Sequence, residues 1–403
     1  MISKDKEWKK YKFSDLFDIN PKINIKKLSN IPYVELKDIK IGFRDVFSKK
    51  SRELKGGSKF EHKDILFSRI SPSLENGKIA RYFSKSLINN CAFGSTEFIV
   101  IRSKKNLTDQ NLAYYICKSR KVTENAIKSM TGTSGRQRVP NSFFDNFFIK
   151  LPPLKSQEKI SNLLFNIDDN INQLIELNKK LDEIIDKLFI EFVLIYDNNY
   201  FFNNQTNKKT NLPSNWKIGK ISNLGVVKKG ISPKYTDDKS YPILNQKCIR
   251  DSVINFRLCK FTQLKKFDQN NFLKPFDVII NSMGVGTLGR VSIYINHHKK
   301  ILVDGCINFF RGNDISSSIY VFNYLKNKEK DLINLSKGTT GQTTLDKDDI
   351  EEIPIILPDT KSLLNFKDKV ENFYLKKNFN LKKINKLTDL RDTLIEKILS
   401  ERI

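Results

Sequence analysis

The chain has 403 residues, 39% of them hydrophobic, and a formal net charge of +26 at pH 7. That length accommodates two or three domains with cores of their own, and no window approaches the ~20 continuous apolar residues of a membrane-spanning helix. The first residues, Met1-Ile2-Ser3-Lys4-Asp5-Lys6-Glu7, lack the apolar stretch of a secretion signal, and the five cysteines are widely spaced and never CxxC, which argues against disulfide and zinc frameworks.

Residues 8–150 read as a mixed unit of short strands and turns. Ile65-Leu66-Phe67 and Phe98-Ile99-Val100-Ile101 are strand-like, Gly56-Gly57 and Asn76-Gly77 are turns, and Leu112 to Ile127 carries helical periodicity. A glycine-hydroxyl loop follows, Thr131-Gly132-Thr133-Ser134-Gly135-Arg136-Gln137, then Leu151-Pro152. From residue 156 the pattern changes. Ile160, Leu164, Ile167, Ile171, Leu174, Asn178, Leu181, Ile185, Leu188, Phe192 and Ile195 step alternately by four and three, the heptad signature of a coiled coil, with Asn178 as the lone polar member. A polar residue in such a seam either fixes register or is a tolerated defect. About 40 helical residues span ~60 Å.

The layout then repeats. Val278-Ile279-Ile280 and Val291-Ser292-Ile293-Tyr294-Ile295 predict strands, and Ile319 to Leu335 a helix. The loop returns as Lys337-Gly338-Thr339-Thr340-Gly341-Gln342-Thr343, and Leu357-Pro358 matches Leu151-Pro152. A second apolar-periodic run covers 362–402, where Lys377, Asn380 and Arg391 occupy positions that a strict repeat would make apolar.

Charge is partitioned between these parts. Residues 1–153 hold 31 basic and 15 acidic groups, net +16; residues 154–200 are net −4; 201–360 net +9; 361–403 net +5. The globular units carry most of the positive charge, so a polyanion attracted to both is the inference, against the alternative of a solvated lysine-rich surface. The acidic first helix suits the basic second one. The expected fold class is α+β: two mixed α/β units, 1–153 and 201–360, joined by long helices at 154–200 and 361–403 that pair as an antiparallel coiled coil with pseudo-two-fold symmetry. In the alternative, each helix folds back on its own unit.

Three chemical motifs fail on context. Gly284-Val285-Gly286-Thr287-Leu288-Gly289 matches GxGxxG, but a dinucleotide site needs a helix after it and Arg290 leads into a strand, so a glycine-rich hairpin near nucleic acid is expected. Asp18, Glu35 and Lys37 imitate a nuclease metal site, with no counterpart in the second copy. His62, His297 and His298 do not form a ligand set. No metal, cofactor or catalytic residue is therefore assigned.

The run Lys63-Asp64-Ile65-Leu66-Phe67-Ser68-Arg69-Ile70-Ser71-Pro72, continuing through Leu74-Glu75-Asn76-Gly77-Lys78-Ile79-Ala80, resembles the specificity subunits of type I restriction–modification systems. So do Leu151-Pro152-Pro153-Leu154 with Gln157-Glu158-Lys159-Ile160, and Leu212-Pro213-Ser214-Asn215-Trp216. The resemblance implies two target recognition domains, each reading half of a split site in double-stranded DNA. It implies spacer helices that dock two modification (methyltransferase) subunits, and restriction/translocase subunits that join the full complex. A type IIB-like enzyme is the alternative setting. The second unit lacks the Pro-Pro and Gln-Glu elements, having Leu357-Pro358-Asp359-Thr360-Lys361, which puts equivalent docking in doubt. A non-catalytic, cytoplasmic subunit is the expectation.

Arg136, Gln137 and Arg138 in the first loop, and Gln342 in the second, are the candidate DNA contacts, because Arg and Gln make bidentate contacts to guanine and adenine. A plain tight turn before the next strand is the competing reading. Arg69, Lys78, Arg81, Lys247, Arg250 and Arg290 are added by charge and turn placement, each also readable as an ordinary surface base.

Overall fold

The computed structural model describes residues 8–25, 30–85, 90–194, 212–238, 240–263, 269–295, 300–338 and 343–400. The chain divides into two compact units, Met1–Glu176 with Lys382–Ile403, and Leu177–Leu381. Each unit therefore holds part of both long helices.

In the first unit, a five-stranded sheet runs in the order Phe17–Ile19, Phe98–Ser103, Ile65–Ser68, Ile79–Tyr82, Asp45–Val46. Strand geometry sends alternate side chains to opposite faces. Ile65, Phe67, Ile99 and Ile101 enter one core with Leu112, Tyr115 and Ile116; Leu66, Phe98 and Val100 enter another with Val34, Phe60 and Tyr82. Both faces are covered, which is why these strands read as continuous apolar runs. A second sheet orders Lys50–Arg52, Ile31–Val34, Cys91–Gly94 and Ser58–Glu61, with its middle pair parallel.

The second unit repeats the plan. Gly225–Lys229, Ile307–Gly312, Val278–Asn281 and Val291–Ile293 form one sheet, and Tyr235–Thr236, Lys260–Thr262, Tyr241–Leu244 and Leu302–Val303 the other, its last pair again parallel. Val278, Ile280 and Phe310 face one core, Ile279 and Phe309 the other. The duplication extends to buried polar pins. Arg102 grips Asp64 with two hydrogen bonds (2.7 and 2.6 Å), and Arg311 grips Asp277 likewise (2.9 and 2.6 Å). Each carboxylate also accepts a backbone N–H, from Glu61 and Lys274 respectively.

Both short helical regions differ from expectation by a break. The expected helix 112–127 is two helices, Gln110–Lys118 and Arg120–Lys128. Ser119 stands between them in extended conformation, its hydroxyl donating to the Ile116 carbonyl and accepting from Val122 N–H, so one residue ends one helix and caps the next. The expected helix 319–335 is likewise Ile315–Asn327 and Glu329–Asn334, interrupted at Lys328.

The central helix runs from Leu154 to Phe189, followed by a π-turn at Ile190–Leu194. Ile160, Leu164, Ile167, Ile171, Leu181 and Ile185 are buried, while Leu174 and Leu188 are half-buried. Near the end, Phe189 and Val193 are the buried residues and Phe192 is half-buried, because a 3.6-residue turn drifts off a strict seven-residue repeat. Ile195 lies outside the described residues. The C-terminal helix is Thr360–Leu399.

The irregular positions of the second seam match polar residues of the first. In the first unit, Arg391 Nη1 donates to Asp168 Oδ1 at 2.6 Å, both side chains buried, and Tyr115 O–H donates to Asp168 Oδ2 at 2.8 Å. Ile160 and Leu164 share a core there with Ile395, Ile398 and Leu399. In the second unit, Asn380 Nδ2 donates to Asn178 Oδ1 at 2.7 Å, Lys377 pairs with Asp182, and Phe192 stacks on Phe366 at 4.8 Å. Within each unit the two helical segments run in opposite directions. Asn178 is thus a satisfied buried partner of Asn380.

Lys118 sits beside the Asp168–Arg391 pair. Its stem is half-buried, but Nζ is sealed from solvent and has no hydrogen-bond partner among the described residues. Burial, then the Arg391 charge, pushes its pKa down to about 8, with Asp168 opposing. The unfolded chain binds this proton more tightly, so the native state is penalised in full below pH 8, and stability recovers as pH rises from about 8 toward the ordinary lysine value. Lys118→Met is expected to raise stability at pH 7 by about 2 kcal/mol, with the gain shrinking above pH 8. Urea unfolding of both proteins between pH 7 and 10 measures this; a gain that is flat with pH would remove Lys118 as its source.

Candidate nucleic-acid interface

The glycine-hydroxyl loop of the first unit is a closed hairpin. Thr131 and Arg138 exchange backbone hydrogen bonds (3.1 and 2.9 Å), and Gly132 and Gly135 take φ of +118° and +77°, a region open mainly to glycine. Residues 131–136 are exposed. The hairpin is lashed to the turn after strand Ile65–Ser68: Ser71 N–H donates to Gln137 O, Val139 N–H to Arg69 O, and the Arg69 guanidinium to Val139 O at 2.8 and 3.1 Å. Buried Leu74 anchors that turn from below. Arg69, Arg136, Gln137 and Arg138, scattered over 70 positions, are therefore brought to one place.

Their charges are not equally available. Arg136 is exposed. Arg138 is exposed but held by Glu97 through Nε and Nη2 (2.8–3.0 Å). Arg69 is tied to a backbone carbonyl, and Lys78 Nζ donates to Leu36 O at 2.9 Å. Arg81 departs from the expectation of an exposed base. It is 3% exposed, donates to Asp45 (2.7 Å) and Asn111 (2.7 Å), and lies over the Phe165 ring of the central helix, which Arg44 also covers. Its strand, Ile-Ala-Arg-Tyr, is buried throughout, so its partners among the described residues are internal.

The second unit builds the same pair of loops. Bridges Lys337↔Thr344 and Met283↔Thr344 stand where Thr131↔Arg138 and Ile70↔Arg138 stand in the first. Gln342 lies outside the described residues. The GxGxxG segment connects antiparallel strands Val278–Asn281 and Val291–Ile293, with no helix after it, as a glycine hairpin requires. Arg290 donates to Ile249 O (3.0 Å) and Gly286 O (2.6 Å), so it braces the hairpin. Lys247 and Arg250 are exposed, Arg250 with a side chain 78% accessible. Sequence reasoning passed over Gln246 and Val285; an apolar residue between two glycines in a polar turn was the available signal for the second.

Other sequence motifs take structural roles. Glu35 is engaged by Lys37 and Arg52, which lower its pKa, Lys37 most. Gln157 is buried, accepting from Asp109 N–H and donating to Pro152 O, so it fastens the central helix to its own unit. In the second unit Asp359 does the equivalent work, accepting from Ser362 N–H and Trp216 Nε1–H. Among the described residues no cluster of His, Cys, Asp and Glu suits a metal, and no helix is long and apolar enough to cross a membrane.

Two mixed-sheet units, each presenting a braced pair of loops with basic side chains nearby, match known proteins. The family model of the type I restriction modification DNA specificity domain matches twice, over residues 5–184 and 213–389. The type I restriction enzyme EcoAI specificity subunit of Escherichia coli is 31% identical over 158 residues, 38% of this chain. The chain spans about a quarter, 26%, of that relative's length. The HindI specificity subunit of Haemophilus influenzae is 21% identical over 98% of this chain and 100% of its own. In fold, the S subunit of a type I restriction-modification system from M. genitalium superposes with a TM-score of 0.57 at 16% identity, covering 99% of this chain and 98% of that one. The twofold family match, covering most of the sequence, shows that this chain belongs to the type I restriction modification DNA specificity family.

Proposed function

We propose that the chain is the non-catalytic specificity subunit of a type I restriction–modification complex, each half reading one half of a bipartite, asymmetric site in double-stranded DNA. Residues 1–153 and 201–360 act as target recognition domains. Residues 154–200 and 361–403 act as spacer regions, their helices pairing as an antiparallel coiled coil with pseudo-two-fold symmetry and docking two modification subunits. Adenine methylation and ATP-dependent cleavage belong to the partner modification and restriction subunits. The observation that carries this reading is the repeated loop pair, bridged at matching positions but different in the side chains it presents: exposed Arg136 and half-buried Gln137 in one unit, exposed Val285 in the other. Matching scaffolds with different contact groups suit two unlike half-sites. The relatives matched are type I subunits, which favours that assembly over a type IIB-like one.

Exchanging residues 212–356 for the corresponding segment of another family member tests this. Methylome sequencing of a host carrying the chimera and its modification partner is expected to show one half-site changed and the other retained. A change in both halves would sink the modular reading.

A further inference from the structure

The second unit contains a rigid platform that the paired-loop description leaves unexplained. Gln246 opens a short 3₁₀ turn, Gln246–Cys248, capped by buried Asn245, whose Oδ1 accepts from Lys247 N–H and whose Nδ2 donates to Leu258 O. Fully buried Asn281 clamps this turn to the glycine hairpin, donating from Nδ2 to both Gln246 O and Thr287 O at 3.0 Å. Arg290 adds a second clamp between the same segments, to Ile249 O and Gly286 O. The approach is close: a methyl group on Gly284 (φ +108°) would stand 3.3 Å from Gln246 Cγ and 3.7 Å from its Nε2.

Two groups on this platform have no internal purpose. The Gln246 side-chain amide is half-buried and makes no hydrogen bond among the described residues. Val285, one residue beyond Gly284, is 88% exposed, the most exposed large hydrophobic among the described residues. Lys247 and Arg250 flank them, both exposed. Asn281 and Arg290 hold the backbone of both segments, so little loop freedom remains to be lost on binding. The first unit differs here: Leu36 follows the equivalent capping residue, Glu35, and its turn carries Ser73, Glu75 and Asn76.

We propose that Gln246 and Val285 are base-reading residues of the second unit. The Gln246 amide pairs with the N7 and N6 groups of an adenine in the major groove, and Val285 packs on the methyl of a nearby thymine. A primary amide offers one donor and one acceptor, matching adenine, whereas guanine presents two acceptors there; only thymine offers a methyl for an apolar tip. Lys247 and Arg250 hold the flanking phosphates. This inference rests on the proposed DNA-specificity role.

The test uses the full chain assembled with its modification subunits, and duplexes carrying the sequence the wild-type complex methylates. Within the half-site assigned to the second unit, each adenine is replaced singly by 7-deazaadenine and each thymine by deoxyuridine. Wild type is expected to lose about tenfold in affinity at one adenine and severalfold at one thymine. Gln246→Ala is expected to become indifferent to the first replacement and Val285→Ser to the second, with the other half-site unchanged. Gln246→Glu, which keeps the side chain's length, is expected to move preference away from adenine at the same position and covers the case of a poorly folded alanine variant. Variants that keep the wild-type profile, or lose affinity equally on every duplex, would overturn the inference while leaving the DNA-specificity role standing. A wild-type complex without sequence preference would instead overturn that role.

Discussion

Replacing Arg391 with alanine is expected to lower the stability of the first unit by about 3–5 kcal/mol. Arg391 is 4% exposed and Asp168 3%, so the variant leaves a carboxylate out of water with only the Tyr115 hydroxyl to satisfy it. Truncation also opens space beside Ile395 and Ile398, which pack with Ile160 and Leu164. Lys118 gives a way to check the cause. Its ammonium is repelled by Arg391 and attracted by Asp168, so it partly compensates once Arg391 is gone. The loss should therefore be larger in a Lys118→Met background, a coupling that a double-mutant cycle reads directly. Thermal unfolding is expected to show a drop on the order of 10 °C. Asp168→Leu with Arg391→Met in the Lys118→Met background should recover most of it, since none of the three charges then remains buried without its partner. A single variant within 1 kcal/mol of wild type would mean that the pair contributes little to holding the helix in place.

The second large effect concerns DNA. Arg136, Lys247 and Arg250 are exposed, and no carboxylate holds any of them within 3.5 Å among the described residues; Arg250 only approaches Asp251, at 3.8 Å. Each is expected to neutralise one phosphate, so the triple alanine variant should lower the slope of log K against log salt by about 0.9 for each base removed. At 0.2 M salt the affinity of the assembled complex should fall on the order of 10²-fold, evenly across sequences, because phosphate contacts carry little base information. Arg138→Ala should do less, its guanidinium being already engaged by Glu97. Titrations at several salt concentrations decide the matter; an unchanged slope would place the DNA elsewhere on the protein.

Much of the architecture was legible because its signals are local and periodic. The runs Ile65-Leu66-Phe67 and Val278-Ile279-Ile280 are strands, and the four-three alternation after residue 156 is a helix. The loops around Gly132 and Gly338 could be found because they recur. The breaks at Ser119 and Lys328 were hidden, since the apolar pattern runs through both. Arg81 was misplaced for a related reason: a charge in a turn-rich region suggests a surface, and nothing nearby in the chain announces Asp45, Asn111 or Phe165 as its partners.

By itself, then, the sequence determined the duplication, the element types and the family, all of which depend on composition and spacing along one chain. Tertiary structure decided which polar groups are spent and which remain free. Lys377, Asn380 and Arg391 look like defects in a seam until Asp182, Asn178 and Asp168 meet them, and Gln246 looks ordinary until Asn281 and Arg290 fix it beside Val285. Burial and pairing are set by residues far away in sequence, so the availability of a charge or an amide for DNA is a property of the folded surface.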